Sequence, residues 1–218
     1  MNLESVAQSI RGFVGVTRKM PIVEITERMH EITRSIVIPR TKVIESFGED
    51  CAVIDVGSSE RYLLFKTEEI WDKLLEADPK FAGYCSVLVN VNDVTVKGGT
   101  PIAIVDTLAS ASRDVRDRIV DGMIEGCRKF NVPIVGGHLS PDSKINRLTV
   151  SILGVVSKKS LVRSDTARPG NMILVAIDLG GHFHSHFRSA WDTTTSKTRE
   201  EVERRYMSIR SVADKGVA

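Results

Sequence analysis

The chain has 218 residues, 42% of them hydrophobic, which is enough to bury at least one full core. Its 30 Lys and Arg residues against 28 Asp and Glu leave a formal net charge of +2, which excludes the broad basic field of a non-specific nucleic-acid-binding protein. No apolar run reaches the roughly 18 to 20 residues of a membrane-spanning helix, and the N-terminus lacks the apolar core of a secretory signal. We therefore expect small molecules as partners, and neither nucleic acid nor a membrane.

The first predicted elements are a helix and a hairpin. Residues 21 to 37 carry apolar side chains at spacings of three and four, which predicts an amphipathic helix. The runs CAVIDV and YLLFKT, joined by the turn-rich GSSE, predict a β-hairpin. Asp78 and Pro79 are typical of a helix start. The following SVLVNVNDVTV alternates apolar and polar residues, so periodicity alone leaves this segment divided between helix and strand.

The middle of the chain is predicted to alternate strands and helices. Gly98 and Gly99 form a break, and IAIVDTLA after it is typical of a buried strand. A helix is predicted from Ser112, followed by VPIVGG as a short strand that runs into a glycine turn. LTVSILGVV is then predicted as a further apolar strand.

A polar, basic segment that ends in Pro-Gly, residues 158 to 170, is the best candidate for a domain boundary. Beyond it, MILVAIDL predicts a strand, and a helix is predicted from Thr198, where Glu201 has capping-box spacing. About 50 residues cannot easily enclose a core of their own. We therefore expect one domain at residues 1–158 and the beginning of a second, incomplete domain at residues 159–218.

The three cysteines, Cys51, Cys85 and Cys127, are far apart in the sequence. Their odd number and the lack of a CxxC pair argue against a disulfide framework and against a cysteine-based zinc site. We interpret them as small, buried apolar residues. Free cysteines are typical of a reducing compartment, so a cytoplasmic location is expected.

Four motifs occur in order along the chain: GED at 48–50, VNVNDVTVKGGTP at 89–101, EGCRKFNVPIVGGHLSPD at 125–142 and LVRSDTARPGN at 161–171. With this order and spacing, the sequence resembles the aminoimidazole ribonucleotide (AIR) synthetase-like ATP-binding proteins. That superfamily includes the purine enzyme itself, thiamine-monophosphate kinase, selenophosphate synthetase and a hydrogenase maturation factor. More narrowly, the chain is similar to the archaeal AIR synthase-related group labelled methanogenesis marker protein 2.

The resemblance implies a mixed α/β (α+β) fold. Its first part is a PurM N-terminal-like domain whose sheet forms a barrel across a homodimer, with ATP bound at domain interfaces. Its second part is the truncated start of a PurM C-terminal-like α+β domain. The resemblance also favours a helix for SVLVNVNDVTV, the segment that contains Asp93 and for which periodicity left helix and strand open.

A magnesium–ATP site held by acidic residues, with no glycine-rich P-loop, is also implied. Carboxylates suit Mg²⁺ because it is a hard cation that takes oxygen ligands and bridges phosphate oxygens. The implied metal ligands are Asp50, Glu68 and Asp93. The implied nucleotide contacts are Thr67, Asn92, Gly136, Gly137, His138 and Arg163, the last because its planar fork suits phosphate.

The sequence departs from the kinase pattern at three positions. Glu49 replaces the first acid of a Gly-Asp-Asp motif, and Glu68 replaces an aspartate, which lengthens its reach by one methylene. His138 follows two glycines where the kinases carry an aspartate, and the selenophosphate branch carries histidine. The glycine-containing segment at 12–19 resembles a flexible arm that supplies a lysine to the phosphates in related enzymes, which makes Lys19 a candidate catalytic residue.

The implied activity is ATP-dependent phosphoryl transfer to a small molecule, or its activation, as in kinases or synthetases. A Lys-Asp-Ile-Ser-like segment that supplies another acid in the related group does not occur before the chain ends at VADKGVA, so we expect an incomplete substrate pocket and possible inactivity of this chain alone. One alternative is a non-catalytic, nucleotide-binding dimeric scaffold or maturation factor. Another is thiamine-monophosphate kinase itself, against which His138 argues.

Two further features have open interpretations. Asp106 interrupts an apolar strand, so its carboxylate either faces a ligand or partner subunit or has a structural hydrogen bond. His182, His184 and His186 alternate, so a strand would place all three imidazoles on one face for a metal. If the two glycines before them make the segment a loop, the alternation carries no such meaning.

Overall fold

A computed structural model describes residues 2–13, 17 and 20–172, and also the backbone of residues 182–183 and 191–192. Within these residues the fold is mixed α/β, as predicted, with five helices and a six-stranded sheet. None of the helices in the described part is long and apolar enough to cross a membrane. The strand predicted in MILVAIDL, the helix predicted from Thr198, and His184 and His186 lie outside the described residues.

The helices are α1 (Leu3–Arg11), α2 (Ile22–Ser35), α3 (Asp72–Ala77), α4 (Pro79–Val96) and α5 (Arg113–Phe130). The strands of the large sheet are β1 (Lys42–Glu45), β2 (Ala52–Asp55), β3 (Arg61–Glu69), β4 (Thr100–Ala109), β5 (Ile134–Ser140) and β6 (Arg147–Ser157). Two short strands, β7 (His182–Phe183) and β8 (Trp191–Asp192), pair with each other.

The sheet has the strand order β1-β2-β3-β6-β4-β5. All neighbours are antiparallel except β4 and β5, which are parallel and are connected through α5. The predicted hairpin is confirmed, because β2 and β3 pair directly. The predicted helices at 21–37 and from Ser112 are confirmed as α2 and α5.

Helix α4 is confirmed where the local signal was divided. It packs on β3, β4 and β6, while α5 packs on its other side. Asp78 caps it by accepting a hydrogen bond from the backbone N–H of Phe81 at 3.2 Å. Two buried polar residues donate inside the helix, Ser86 to the carbonyl of Gly83 at 2.7 Å and Asn90 to that of Ser86 at 2.8 Å. Oδ1 of Asn90 has no hydrogen-bond partner among the described residues. A helix buried on two sides lacks a polar stripe, which explains its weak helical pattern.

The crossing of α4 and α5 depends on glycines. A Cβ at Gly83 would lie 2.0 Å from the carbonyl oxygen of Ile119, and one at Gly122 would lie 1.8 Å from that of Lys80. The two helix backbones are therefore in direct contact. The core beneath them is formed mainly by alternate residues of the sheet, among them Val53, Leu64, Ile104, Leu148, Val150 and Ile152.

The glycine turn predicted after VPIV is wrong. Gly136 and Gly137 lie inside β5, where they pair with Val105 and Asp106. The reason is a close contact between neighbouring strands, because a Cβ at Gly137 would lie 2.3 Å from Oδ1 of Asp106. Glycine here makes room for a neighbouring carboxylate and does not reverse the chain.

The first residues of the predicted boundary segment lie against the sheet and α4. The backbone N–H of Lys158 donates to the carbonyl of Glu60 at 2.8 Å, and that of Val162 donates to Lys97 at 3.1 Å. The side chain of Lys158 pairs with Asp55 at 2.7 Å. This docking brings Arg163 and Ser164 to one end of α4.

Candidate functional site

Two of the predicted metal ligands share one cationic partner. The ammonium Nζ of Lys66 lies 2.8 Å from Oδ2 of Asp93 and 3.1 Å from Oε2 of Glu68. Lys66 and Glu68 are two residues apart on β3 and project from the same face of the strand, while Asp93 reaches them from α4. Two carboxylates from different elements therefore converge on a single positive charge.

Lys66 remains protonated in this position. Its side chain is only 21% exposed, and this burial favours the neutral amine. The hydrogen bonds to Asp93 and Glu68 outweigh the burial, so the pKa of Lys66 lies above its usual value. A full positive charge thus stands between the two acids at neutral pH.

Asp50 lies beside this group but does not join it. It is exposed in the turn before β2, next to Cys51, whose thiol donates to the carbonyl of Asp93 at 3.3 Å. Burial raises the pKa of the Cys51 thiol to about 12, and the charges of Asp93 and Asp50 also raise it. Cys51 is thus the small buried residue predicted, and it ties the turn to α4. In the described residues no three His, Cys, Asp or Glu side chains stand close enough to hold a metal ion.

A second charged cluster surrounds Lys97 at the end of α4. Lys97 is 2% exposed, and its ammonium lies 2.8 Å from Oε2 of Glu45, whose side chain is equally buried. It also forms an ion pair with Glu49, and Ser164 donates to the other oxygen of Glu49 at 2.7 Å. The hydrogen bond from Lys97 is the main cause of the lowered pKa of Glu49. Glu49 thus has its neutralising partner in the protein itself.

Arg163 completes this second cluster. Its Nε lies 3.0 Å from Oε1 of Glu45, and its guanidinium makes two hydrogen bonds to Asp165, at 2.9 and 3.0 Å. The Arg163 side chain is 40% exposed. Arg163, the residue predicted to contact phosphate, is therefore bound by two acidic residues of this chain, Glu45 and Asp165.

The remaining predicted contacts lie elsewhere. Thr67 projects from the face of β3 opposite to Glu68, where it accepts a hydrogen bond from Ser151 at 3.0 Å. The same register row continues through Val105 to Gly136, three strands and about 14 Å away. Gly137 and His138 follow in exposed β5, and Asn92 is exposed on α4. This chain therefore does not bring His138 together with the acids, and Lys19 lies outside the described residues.

The Asp106 side chain has no hydrogen bond to another residue in the described part of the chain. Burial raises the pKa of its carboxyl, and the side chain rests over Gly137. The alternative of a structural hydrogen bond therefore finds no support in the described residues.

Sequence reasoning missed the two lysines on which these clusters are centred. Lys66 could have been found, because a strand places residues 66 and 68 on one face. Lys97 carried no such signal, since its partner Glu49 is 48 residues away along the chain.

Residues 48–156, from the GED motif to the end of β6, match the family described as AIR synthase related protein, N-terminal domain. The chain belongs to this family. The match confirms the resemblance and contains three of the four motifs; it leaves out LVRSDTARPGN at 161–171 and helices α1 and α2.

Several curated proteins are similar to this AIR synthase-related chain. An uncharacterized protein of Methanocaldococcus jannaschii is 37% identical over 218 residues, which cover 100% of this chain and 66% of that protein. An uncharacterized protein of Synechocystis is 40% identical over 159 residues, covering 73% of this chain and 48% of the relative. The phosphoribosylformylglycinamidine cyclo-ligase of Thermococcus kodakarensis is 34% identical over 148 residues, covering 63% and 43%. The chain spans less than two thirds of each relative's length.

Solved structures show the same fold. T. maritima PurL complexed with ADP has a TM-score of 0.50 and 27% identity, covering 59% of this chain and 22% of PurL. The thiamine monophosphate kinase of Aquifex aeolicus has a TM-score of 0.50 and 19% identity, covering 69% and 47%. The second likeness concerns the fold alone.

Proposed function

We propose that this AIR synthase-related chain forms the nucleotide-binding part of an enzyme that uses Mg-ATP to phosphorylate or activate a small molecule. The observation that carries the proposal is the convergence of Glu68 and Asp93 on one positive charge within the family's domain. The similarity to PurL, whose structure contains ADP, supports a nucleotide as the ligand.

The donor set suits magnesium. Both converging groups are carboxylates, and hard oxygen ligands are those that Mg²⁺ takes in nucleotide sites. Glu68 and Asp93 would hold the ion, and Asp50, exposed in the turn before β2, is the third proposed ligand. When bound, Mg²⁺ neutralises phosphate charge and orients the phosphates.

The chain's own residues provide the rest of the positioning. Arg163 is placed by Glu45 and Asp165, and the guanidinium donors that these acids do not use can bind phosphate oxygens. Lys97 fixes the turn through Glu49. Such a site acts by positioning and charge stabilisation and requires no covalent enzyme intermediate.

Calorimetric titration of Mg-ATP into wild type and Asp93→Asn tests this function. We expect the substitution to weaken binding by more than about tenfold, because disturbing even the surroundings of a metal site has effects of this size. The amide keeps the shape of the side chain but removes the charge that a cation needs.

Asp117→Asn is the matched control, since Asp117 is an exposed acid on α5 that pairs with Arg113 one turn away. It should bind Mg-ATP as wild type does. Equal affinity of wild type and Asp93→Asn, with both folded by thermal melting, would refute an acidic nucleotide site at Asp93.

We also propose that the protein is a homodimer that pairs through the sheet face opposite α4. Phe65 and Val105 are 49% and 41% exposed on this face, and Leu153 of β6 lies in the same row as Phe65. An apolar sheet face that the described residues leave exposed is typical of an interaction surface.

Val105→Glu should therefore convert the dimer into a monomer, because it places a charge in the middle of the interface. The oligomeric state is read from light scattering after size-exclusion chromatography. Val120→Glu is a well-matched control, since Val120 is also 41% exposed but lies on α5. If Val105→Glu keeps the mass of wild type, the interface lies elsewhere.

A further inference from the structure

Lys66 has no role in the implied metal and nucleotide contacts, yet it pairs with two of the three implied metal ligands. Its ammonium is within 3.1 Å of both converging carboxylates, and its side chain is less exposed than that of Glu68, 21% against 43%. It extends from β3 on the same face as Leu64, a fully buried core residue. The ammonium is therefore held close to the carboxylates of Glu68 and Asp93.

The charge balance shows what the lysine does in the absence of a ligand. Two carboxylates held close to one cation would repel each other without it, and the repulsion grows as water is excluded. Lys66 offsets one of their two negative charges and fixes both side chains. The acids are thus kept in a converging arrangement before any ligand arrives.

Because it occupies the two carboxylates, Lys66 competes with a metal ion for them. Magnesium binds oxygens at about 2.0 to 2.1 Å, closer than the 2.8 and 3.1 Å at which the ammonium now holds these carboxylates. An ammonium and a divalent cation repel each other, so both cannot use the same oxygens fully. A metal that arrives alone must remove Lys66 without offering it another anion.

We propose that Lys66 is a tethered substitute for the metal. Without a ligand, its ammonium holds Glu68 and Asp93 together; when a metal–nucleotide complex binds, the ammonium leaves these carboxylates to the metal and pairs with phosphate oxygens. This inference rests on the proposed function. Lys66 is then a positioning and specificity residue that disfavours the free divalent cation and favours the cation together with phosphate. A lysine ammonium is suited to the exchange because it is a compact point charge on a flexible stem.

A purely structural ion pair would behave differently. Its removal would reduce stability but would leave the affinity for free metal unchanged or lower. The tethered substitute has opposite effects on two ligands, because its removal frees the carboxylates for a metal and deprives the phosphates of a cation.

The test measures the binding of Mn²⁺ alone and of Mg-ATP to wild type, Lys66→Met and Lys66→Arg. We expect Lys66→Met to bind free Mn²⁺ about tenfold more tightly and Mg-ATP about tenfold more weakly, the size expected for one nearby charge in a partly exposed site. Lys66→Arg keeps the charge and should stay close to wild type for Mn²⁺. Lys80→Met is the control, since Lys80 pairs with Glu125 at 3.2 Å on the exposed helix surface.

A second measurement needs no variant and so does not depend on the folding of Lys66→Met. Lys66 of the wild-type protein is labelled with an amine-reactive reagent and quantified by peptide mass spectrometry, with Lys80 as the internal reference. We expect Mn²⁺ alone to increase labelling of Lys66, and subsequent ATP to decrease it.

The outcomes are distinct. Unchanged or weaker Mn²⁺ binding by Lys66→Met, or labelling that Mn²⁺ does not change, would overturn the inference whatever ATP does. Tighter Mn²⁺ binding by Lys66→Met, in a protein that never binds Mg-ATP, would uphold competition with the metal. The same result would refute the proposed nucleotide function and, with it, the pairing of Lys66 with phosphate.

Discussion

Replacing Lys97 with methionine is expected to lower the free energy of unfolding by about 3 to 5 kcal/mol, the usual cost of breaking a buried ion pair by removing one partner. Lys97 and Glu45 are each 2% exposed and lie 2.8 Å apart. Methionine fills a similar volume, so the loss comes mainly from the carboxylate left without its ammonium. Glu49 loses the same partner, and the docking of Arg163 and Ser164 should loosen with it.

Urea denaturation followed by circular dichroism measures this loss. Lys158→Met is the matched control, because Lys158 also forms one close ion pair, 2.7 Å from Asp55, but both side chains are about one quarter exposed (27% and 23%). Its cost should stay within about 1 kcal/mol. A Lys97→Met variant as stable as Lys158→Met would show that the buried cluster is not required for folding. Recovery of stability on adding Glu45→Gln would show directly that the unpaired carboxylate was the cause.

The second large effect is expected from a single methyl group at the helix crossing. Gly122→Ala would place its Cβ 1.8 Å from the carbonyl oxygen of Lys80 and 2.8 Å from the backbone nitrogen of Tyr84. Neither contact is with a flexible side chain, so α4 and α5 must separate. We expect a loss of more than about 4 kcal/mol, which is exceptional for one substitution.

Thermal and urea unfolding measure the effect of Gly122→Ala, with Gly136→Ala as its control. The nearest atom to a Cβ at Gly136 is Cγ1 of Val105 at 3.8 Å, an ordinary contact, so this substitution should cost less than about 1 kcal/mol. Similar stability of the two variants would contradict the close crossing of α4 and α5. Since α4 carries Asp93, a partly folded Gly122→Ala protein should also show a displaced acidic site and weaker Mg-ATP binding.

Local sequence patterns predicted part of the secondary structure, but not helices α1 and α3 or strand β1. Residues 21–37 and the helix from Ser112 follow a helical repeat of apolar residues, and the hairpin of β2 and β3 follows from two apolar runs joined by turn residues. Helix α4 escaped this rule because it is buried between the sheet and α5. Only the family resemblance of the segment around Asp93 identified it as a helix.

Sequence composition also misled at one place. Paired glycines are usually turns, but Gly136 and Gly137 belong to a strand, where the Asp106 side chain of the neighbouring strand occupies the space of a Cβ at Gly137. The sequence contains the two glycines and the aspartate, 31 positions before Gly137. The register in which β4 and β5 pair, which brings Asp106 next to Gly137, cannot be read from the sequence.

The acids of the candidate site could be identified from the sequence through their motifs, but their electrostatic partners could not. Lys66 shares a strand face with Glu68, which local periodicity predicts, yet its contact with Asp93 requires α4 to lie on β3. Lys97 meets Glu45 and Glu49 only because the end of α4 is buried against the turn before β2. Periodicity depends on neighbours along the chain, whereas charge pairing depends on distances in space. The sequence by itself therefore determined many of the elements, the family and the acidic residues, and the tertiary structure decided which cations neutralise those acids.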